Sequence, residues 1–190
     1  MGLLFQRKFD VFIGRVPYDL KFGYVSSHTL AINAVKARAK VLDLACGEGY
    51  VARELAKKDC RVTGLDSTEV KGDGFDKFIL HDLDNPDLPS ELETYDYILA
   101  LDCLEHLNSP ERLMAELRQR CYSDKTKLLV TAPNVGFIMT RIGLLFGQFN
   151  YGVQGILDLT HKRLFTFRSL IRLMEQEGYR IICVRGVPPP

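Results

Sequence analysis

The chain has 190 residues, 46% of them hydrophobic and 26% charged, with a formal net charge of +1. That mixture suits one soluble globular domain with a real core and excludes a disordered or fibrous chain. Acids and bases are interleaved without a basic tail or stripe, so the footprint of a nucleic-acid-binding surface is missing and no nucleic acid partner is expected.

The opening, Met1-Gly2-Leu3-Leu4-Phe5-Gln6, lacks a signal-peptide layout, and Gln6 stands where a myristoylation signal needs Ser or Thr. Residues 1–24 are rich in aromatics and glycine without clean periodicity. Ser26 or Ser27 caps a helix predicted over 28–38, with Leu30, Ile32, Ala34 and Val35 among its apolar positions. A short apolar strand at 41–44 is followed by a helix at 50–58, then strands at 61–65, 77–81 and 95–101. Pro110, after a Ser109 cap, opens a helix over 111–121. A fifth strand at 127–131, a helix at 167–177 stopped by Gly178, and a sixth strand at 180–184 complete the series. No apolar run reaches the ~20 residues of a membrane span. The cysteines at 46, 60, 103, 121 and 183 form no C-x-x-C pair and are expected to be buried, reduced thiols of a cytoplasmic protein.

Strands alternating with helices predict a doubly wound, mostly parallel α/β sheet, with ligands at the carboxyl ends of its strands. We expect one domain over 1–190, with a cap segment over 1–38 and an insertion over 135–160. The apolar stretch 135–149 carries a single Arg141 and suits an acceptor-site lid, an interfacial helix meeting lipid, or a homodimer contact. Pro188-Pro189-Pro190, directly after the sixth strand, reads as a cut or a linker.

The strongest motif is Asp43-Leu44-Ala45-Cys46-Gly47-Glu48-Gly49-Tyr50. Gly47 and Gly49 let the backbone turn tightly and approach a ligand. Asp66 follows Asp43 by 23 residues, at the end of the second strand, where a carboxylate accepts hydrogen bonds from two ribose hydroxyls. A dinucleotide site is one alternative, with Ala52 as the third small residue of a G-x-G-x-x-G pattern. Asp43, four residues before Gly47, argues the other way. A carboxylate there offers nothing to a diphosphate and suits a ligand that carries an ammonium and a sulfonium.

These residues resemble the first motif, D-x-G-x-G-x-G, of class I S-adenosylmethionine-dependent methyltransferases, with Ala45 in place of the first glycine. Asp66 falls on that family's ribose-binding acid. His81-Asp82-Leu83 resembles its third motif, where the Asp faces the adenine amine. Leu101-Asp102-Cys103-Leu104-Glu105-His106-Leu107 and Thr160-His161-Lys162-Arg163-Leu164-Phe165-Thr166 resemble stretches of its branch of quinone-, sugar- and metabolite-modifying enzymes. The resemblance spans about residues 24–185 and implies a Rossmann-like fold of seven strands, the last antiparallel. This chain supplies six, so the final strand is donated by a partner, replaced or lost.

The resemblance further implies S-adenosylmethionine as cofactor, held by Tyr24, Asp43, Ala45, Gly47, Gly49, Asp66, Ser67, Asp82, Leu83 and Leu101. Tyr18 and Tyr24 sit in a segment that folds over the cofactor in this family. His106 and His161 are the catalytic candidates, each either a general base toward a hydroxyl or an anchor of its turn or loop. His28 and His81 read as structural, and no metal ligand set stands out. The expected reaction is methyl transfer to an oxygen, or a nitrogen, of a small-molecule or glycan-like acceptor, with a hydrophobic or lipid-linked acceptor as corollary. The alternatives are a nicotinamide-dependent oxidoreductase and a non-catalytic S-adenosylmethionine-binding domain.

Overall fold

The computed structural model describes the backbone of residues 2–5, and residues 26–70, 72–85, 87–88, 91–121 and 125–187 with their side chains. Tyr18 and Tyr24 lie outside the described residues.

A capping box opens α1 (Ser27–Ala34): Ser26 Oγ accepts the Thr29 N–H at 3.0 Å, and Thr29 Oγ1 accepts the Ser26 N–H at 2.7 Å. The helix ends before the expected residue 38. Its late carbonyls, of Ile32 at 2.8 Å and of Val35, accept from the Lys58 ammonium, and Val35 is already extended.

The strands β2 (Lys40–Leu44), β3 (Arg61–Asp66), β4 (Lys77–Leu80), β5 (Tyr97–Leu101) and β6 (Lys127–Thr131) form one parallel sheet in the order β4-β3-β2-β5-β6. The chain winds outward from β2 and returns on its other side at β5, so the switch in strand order lies between β2 and β5. Alternation along β2 sends Leu42 and Leu44 toward α3 (Pro110–Arg120) and α5 (Phe167–Gln176), where they pack with Met114, Leu117 and Met174. Val41 faces the other layer, with Leu99, Ala31 of α1 and Val51 and Leu55 of α2 (Tyr50–Ala56). The sheet is therefore covered on both faces, and the doubly wound α/β expectation holds.

The sixth strand needs a correction. The expected segment 180–184 is realised as β7 (Ile181–Arg185), which is not hydrogen-bonded into the parallel sheet. It runs antiparallel to β1 (Gly2–Phe5), with Gly2 opposite Arg185 and Leu3 opposite Val184. β1 also lies beside β6. The amino-terminal residues of the same chain pair with β7. Pairing removes the row of free N–H and C=O groups that a bare edge would present.

Gly178 ends α5 in a left-handed conformation (φ 81°), as its place in the sequence predicts. Within the apolar insertion, α4 (Ile138–Leu145) has no buried residue; Leu145 is 83% exposed and Phe146 just beyond it 78%. Cys46, Cys60, Cys103 and Cys121 are buried free thiols, whereas Cys183 on β7 is only half-buried, against expectation. Among the described residues no helix is long and apolar enough to cross a membrane.

Candidate cofactor and acceptor site

β2 delivers the chain into a turn with three left-handed residues, Ala45 (φ 54°), Gly47 (φ 50°) and Gly49 (φ 74°). A side chain at Ala45 makes that conformation cost about 1 kcal/mol. The two glycines do different work. A Cβ at Gly47 would meet nothing within 4 Å, so the backbone there faces open space. A Cβ at Gly49 would lie 2.7 Å from the Phe75 ring, which also fills the space over Gly64. Gly47 permits approach by a ligand, and Gly49 permits packing.

The strand-end acids surround this turn. Asp66 Oδ2 accepts the Gly47 N–H at 3.0 Å, and Oδ1 accepts the Thr68 N–H at 3.1 Å and the Thr68 hydroxyl at 3.0 Å. An ionised carboxylate has about four acceptor positions, so capacity for further hydroxyl donors is left. Asp43 sits in the central strand, 2% exposed, and its Oδ2 has no hydrogen-bond partner. Burial first, and the nearby Asp66 charge second, push its pKa up to about 7. A buried carboxylate oxygen without a partner is costly, and a cationic donor such as an ammonium would relieve it. Asp82 is exposed and its Oδ1 accepts the Asp84 N–H at 2.9 Å.

Ala45, Asp66, Ser67, Asp82 and Leu83 line one cleft of about 350 Å³, together with Asp84, Cys103, His106, Leu107 and Lys162. Asp43, Gly47, Gly49 and Leu101 are not among the lining residues. Leu101 packs into the core with Val41 and Leu99.

The other end of the cleft is built after β5. Asp102 is left-handed (φ 48°), its N–H donates to Thr131 Oγ1 at 2.8 Å, and the Thr131 hydroxyl donates to Asp102 Oδ1 at 2.6 Å. A single 3-10 turn, Leu104–His106, follows. Glu105 is 1% exposed and its Oε2 has no partner; burial, then the Asp102 charge, hold its pKa well above the usual carboxylate range. The Glu105 carbonyl accepts the N–H groups of Lys162 at 2.8 Å and Arg163 at 3.0 Å, tying the later loop to this turn.

That tie brings the two histidines together. Their ring centroids are 4.9 Å apart at an interplanar angle of 69°. His106 Nδ1 lies 3.1 Å from the Thr160 hydroxyl and 3.3 Å from the Thr160 carbonyl. Burial, and then the neighbouring His161, lower its pKa, which keeps its ring neutral near pH 7. His161 is buried, and its Nδ1 lies 3.0 Å from the Ile156 carbonyl. His28, pushed down to about 4 by burial, packs edge-on against Tyr50.

A family model described as a methyltransferase domain matches residues 24–184. The chain belongs to that family. Solved structures of the same fold include an S-adenosylmethionine-dependent methyltransferase from Archaeoglobus fulgidus, 24% identical, with 80% of this chain and 65% of that one covered and a TM-score of 0.55. Another is the magnesium protoporphyrin IX methyltransferase of Synechocystis with bound S-adenosylhomocysteine, 17% identical, covering 84% and 72% at a TM-score of 0.57. A third is the YcgJ protein of Bacillus subtilis, 17% identical, covering 80% and 67% at 0.56. The chain spans about two-thirds of the length of solved structures it matches. No curated protein sequence matches it.

The match to a methyltransferase domain gives the nicotinamide alternative no support. Three contacts of the site are not visible in the sequence motifs themselves. Phe75 packs over Gly49 and Gly64. Lys162 reaches Asp84 across the cleft at 3.3 Å. Among the described residues, Glu105, His106 and His161 converge, each offering one donor atom within 4.8 Å of the others. The Glu105-His106 dipeptide was a visible signal for two of these three; the third required the loop to fold back.

Proposed function

We propose that the protein transfers a methyl group from S-adenosylmethionine to an oxygen, or second a nitrogen, of a small-molecule or glycan-like acceptor. One observation supports this most: a single cleft joins Ala45, Asp66, Ser67, Asp82 and Leu83 to His106. Cofactor and acceptor ends therefore share one space.

S-adenosylmethionine, when bound, supplies an electrophilic sulfonium methyl whose bonding pair stays with sulfur as the new bond to the acceptor forms. In this reading Asp43 accepts from the ammonium, Asp66 from the ribose hydroxyls and Asp82 from the adenine amine, while Gly47 gives them backbone clearance. Transfer from a sulfonium rests mainly on in-line positioning, which fixed strand ends provide. The acceptor hydroxyl loses its proton as the carbon–oxygen bond forms. An imidazole whose Nδ1–H is held by a carbonyl leaves Nε2 as the proton-accepting nitrogen, and His161 makes that contact with Ile156.

The insertion 135–160 serves as the acceptor-side lid, its exposed α4 suiting a hydrophobic or lipid-linked acceptor, a membrane surface or a second copy of the chain. A cytoplasmic setting fits the free thiols. Transfer of label from methyl-labelled S-adenosylmethionine to a panel of phenols, sugars and amines tests the proposal. Labelled product that falls at least 100-fold with His161→Ala supports it, whereas cofactor binding without turnover on any acceptor favours a non-catalytic binding domain.

A further inference from the structure

At the acceptor end, one cluster has chemistry that methyl transfer by positioning does not require. Glu105, on the turn after β5, and His161, on the loop before α5, meet His106 with one donor atom from each residue within 4.8 Å of the others. Three observations set the cluster apart from ordinary packing. Glu105 is 1% exposed and its Oε2 has no hydrogen-bond partner, so a buried polar atom is left unsatisfied. The neighbouring cations are engaged elsewhere, Lys162 with Asp84 and Arg163 with Glu111. Both imidazoles place Nδ1 against oxygens of the loop, His161 against the Ile156 carbonyl at 3.0 Å and His106 against the Thr160 hydroxyl at 3.1 Å. An Nδ1–H given to such an oxygen leaves Nε2 as the lone-pair nitrogen, which is how outer contacts orient imidazoles that ligate metals.

We propose that Glu105, His106 and His161 form a site for a divalent transition-metal ion, with zinc the best match. Two imidazoles and one carboxylate make a three-ligand set whose fourth position is open. A tetrahedral zinc ion with bonds of about 2.0–2.2 Å holds its ligands about 3.4 Å apart, so side-chain rotation must draw donors as much as 4.8 Å apart in by up to about 1.4 Å. What the ion does rests on the methyl-transfer reading: an acceptor hydroxyl at the open position would give up its proton to solvent more readily, the ion then replacing the free His161 imidazole as the activating group. Whether the ion binds does not rest on that reading.

Cobalt(II) titrated into the chelator-treated full chain and followed by visible absorption reads the site without turnover. The expected result is one equivalent of cobalt with a tetrahedral-type spectrum, displaced by zinc. Glu105→Gln and His161→Gln, checked for folding by circular dichroism, each weaken cobalt binding about 100-fold or more. If a variant does not fold, zinc protection of His106 and His161 from carbethoxylation, mapped by mass spectrometry on the unmutated chain, carries the same test. No saturable cobalt signal, unchanged affinity in folded variants, or unprotected histidines would overturn the site. S-adenosylhomocysteine calorimetry on the metal-free chain separates the two readings. Cofactor binding without cobalt binding removes the metal site alone, and cobalt binding without cofactor binding removes the methyl-transfer reading alone.

Discussion

The two ends of the cleft are built in different ways. The cofactor end is a backbone device: Asp43, the turn through Gly47 and Gly49, and Asp66 all lie within one βαβ unit, and Asp66 grips the turn at the Gly47 N–H. The acceptor end is a side-chain device assembled across 54 residues, His106 to Thr160, and closed by two N–H groups on one Glu105 carbonyl. The difference teaches that one end is fixed by the sheet itself, while the other depends on a loop staying docked. Substitutions should therefore damage the first through fold and affinity together, and the second through chemistry with the fold intact.

The largest effect is expected at Gly49. Gly49→Val places a branched side chain in a left-handed residue and against Phe75, costing about 2–4 kcal/mol of stability and abolishing cofactor binding. Thermal melts with S-adenosylhomocysteine calorimetry check this, and a stable variant that still binds would break the claim that the turn is fixed by packing. Next, Asp66→Ala removes the charged acceptor of the turn and the proposed ribose partner, so affinity for S-adenosylhomocysteine should fall about 100-fold.

Asp43 yields a pH dependence. With its pKa near 7 in the cofactor-free protein, the carboxylate must lose a proton before it can accept from an ammonium. Affinity should therefore fall as pH drops below about 7, approaching tenfold per pH unit, and level off above. The same shift acts on folding. A carboxyl whose pKa rises from about 3.9 in the unfolded chain contributes stability below that value, and loses it as pH rises through about 7. Asp43→Asn should accordingly raise the cofactor-free melting temperature at pH 8 while weakening the cofactor, and a variant that lowers both would contradict the burial argument.

The smallest effect belongs to the insertion. Leu145→Ser should change stability by less than about 0.5 kcal/mol, because that side chain is 83% exposed. A loss above 1 kcal/mol would show that α4 is covered.

What the sequence disclosed follows the same division. Asp43, Gly47, Gly49 and Asp66 were legible because strand, turn and acid fall at local spacings set by backbone geometry. Glu105 and His106 were visible as a pair, yet their meeting with His161 was not, since no periodicity records how a loop folds back. The pairing of Gly2–Phe5 with β7 was hidden for the same reason: it joins the two ends of the chain. For α4 the apolar pattern was plain, but amphipathicity says that a face exists and not what it meets.

The central claim is that Asp43, Gly47 and Asp66 hold S-adenosylmethionine at the switch between β2 and β5. Calorimetry with S-adenosylhomocysteine at pH 8, beside Asp66→Ala and an NAD control, tests it most directly. The account predicts one saturable site for S-adenosylhomocysteine, weakened about 100-fold by Asp66→Ala, and no response to NAD. Binding of NAD without S-adenosylhomocysteine would contradict it.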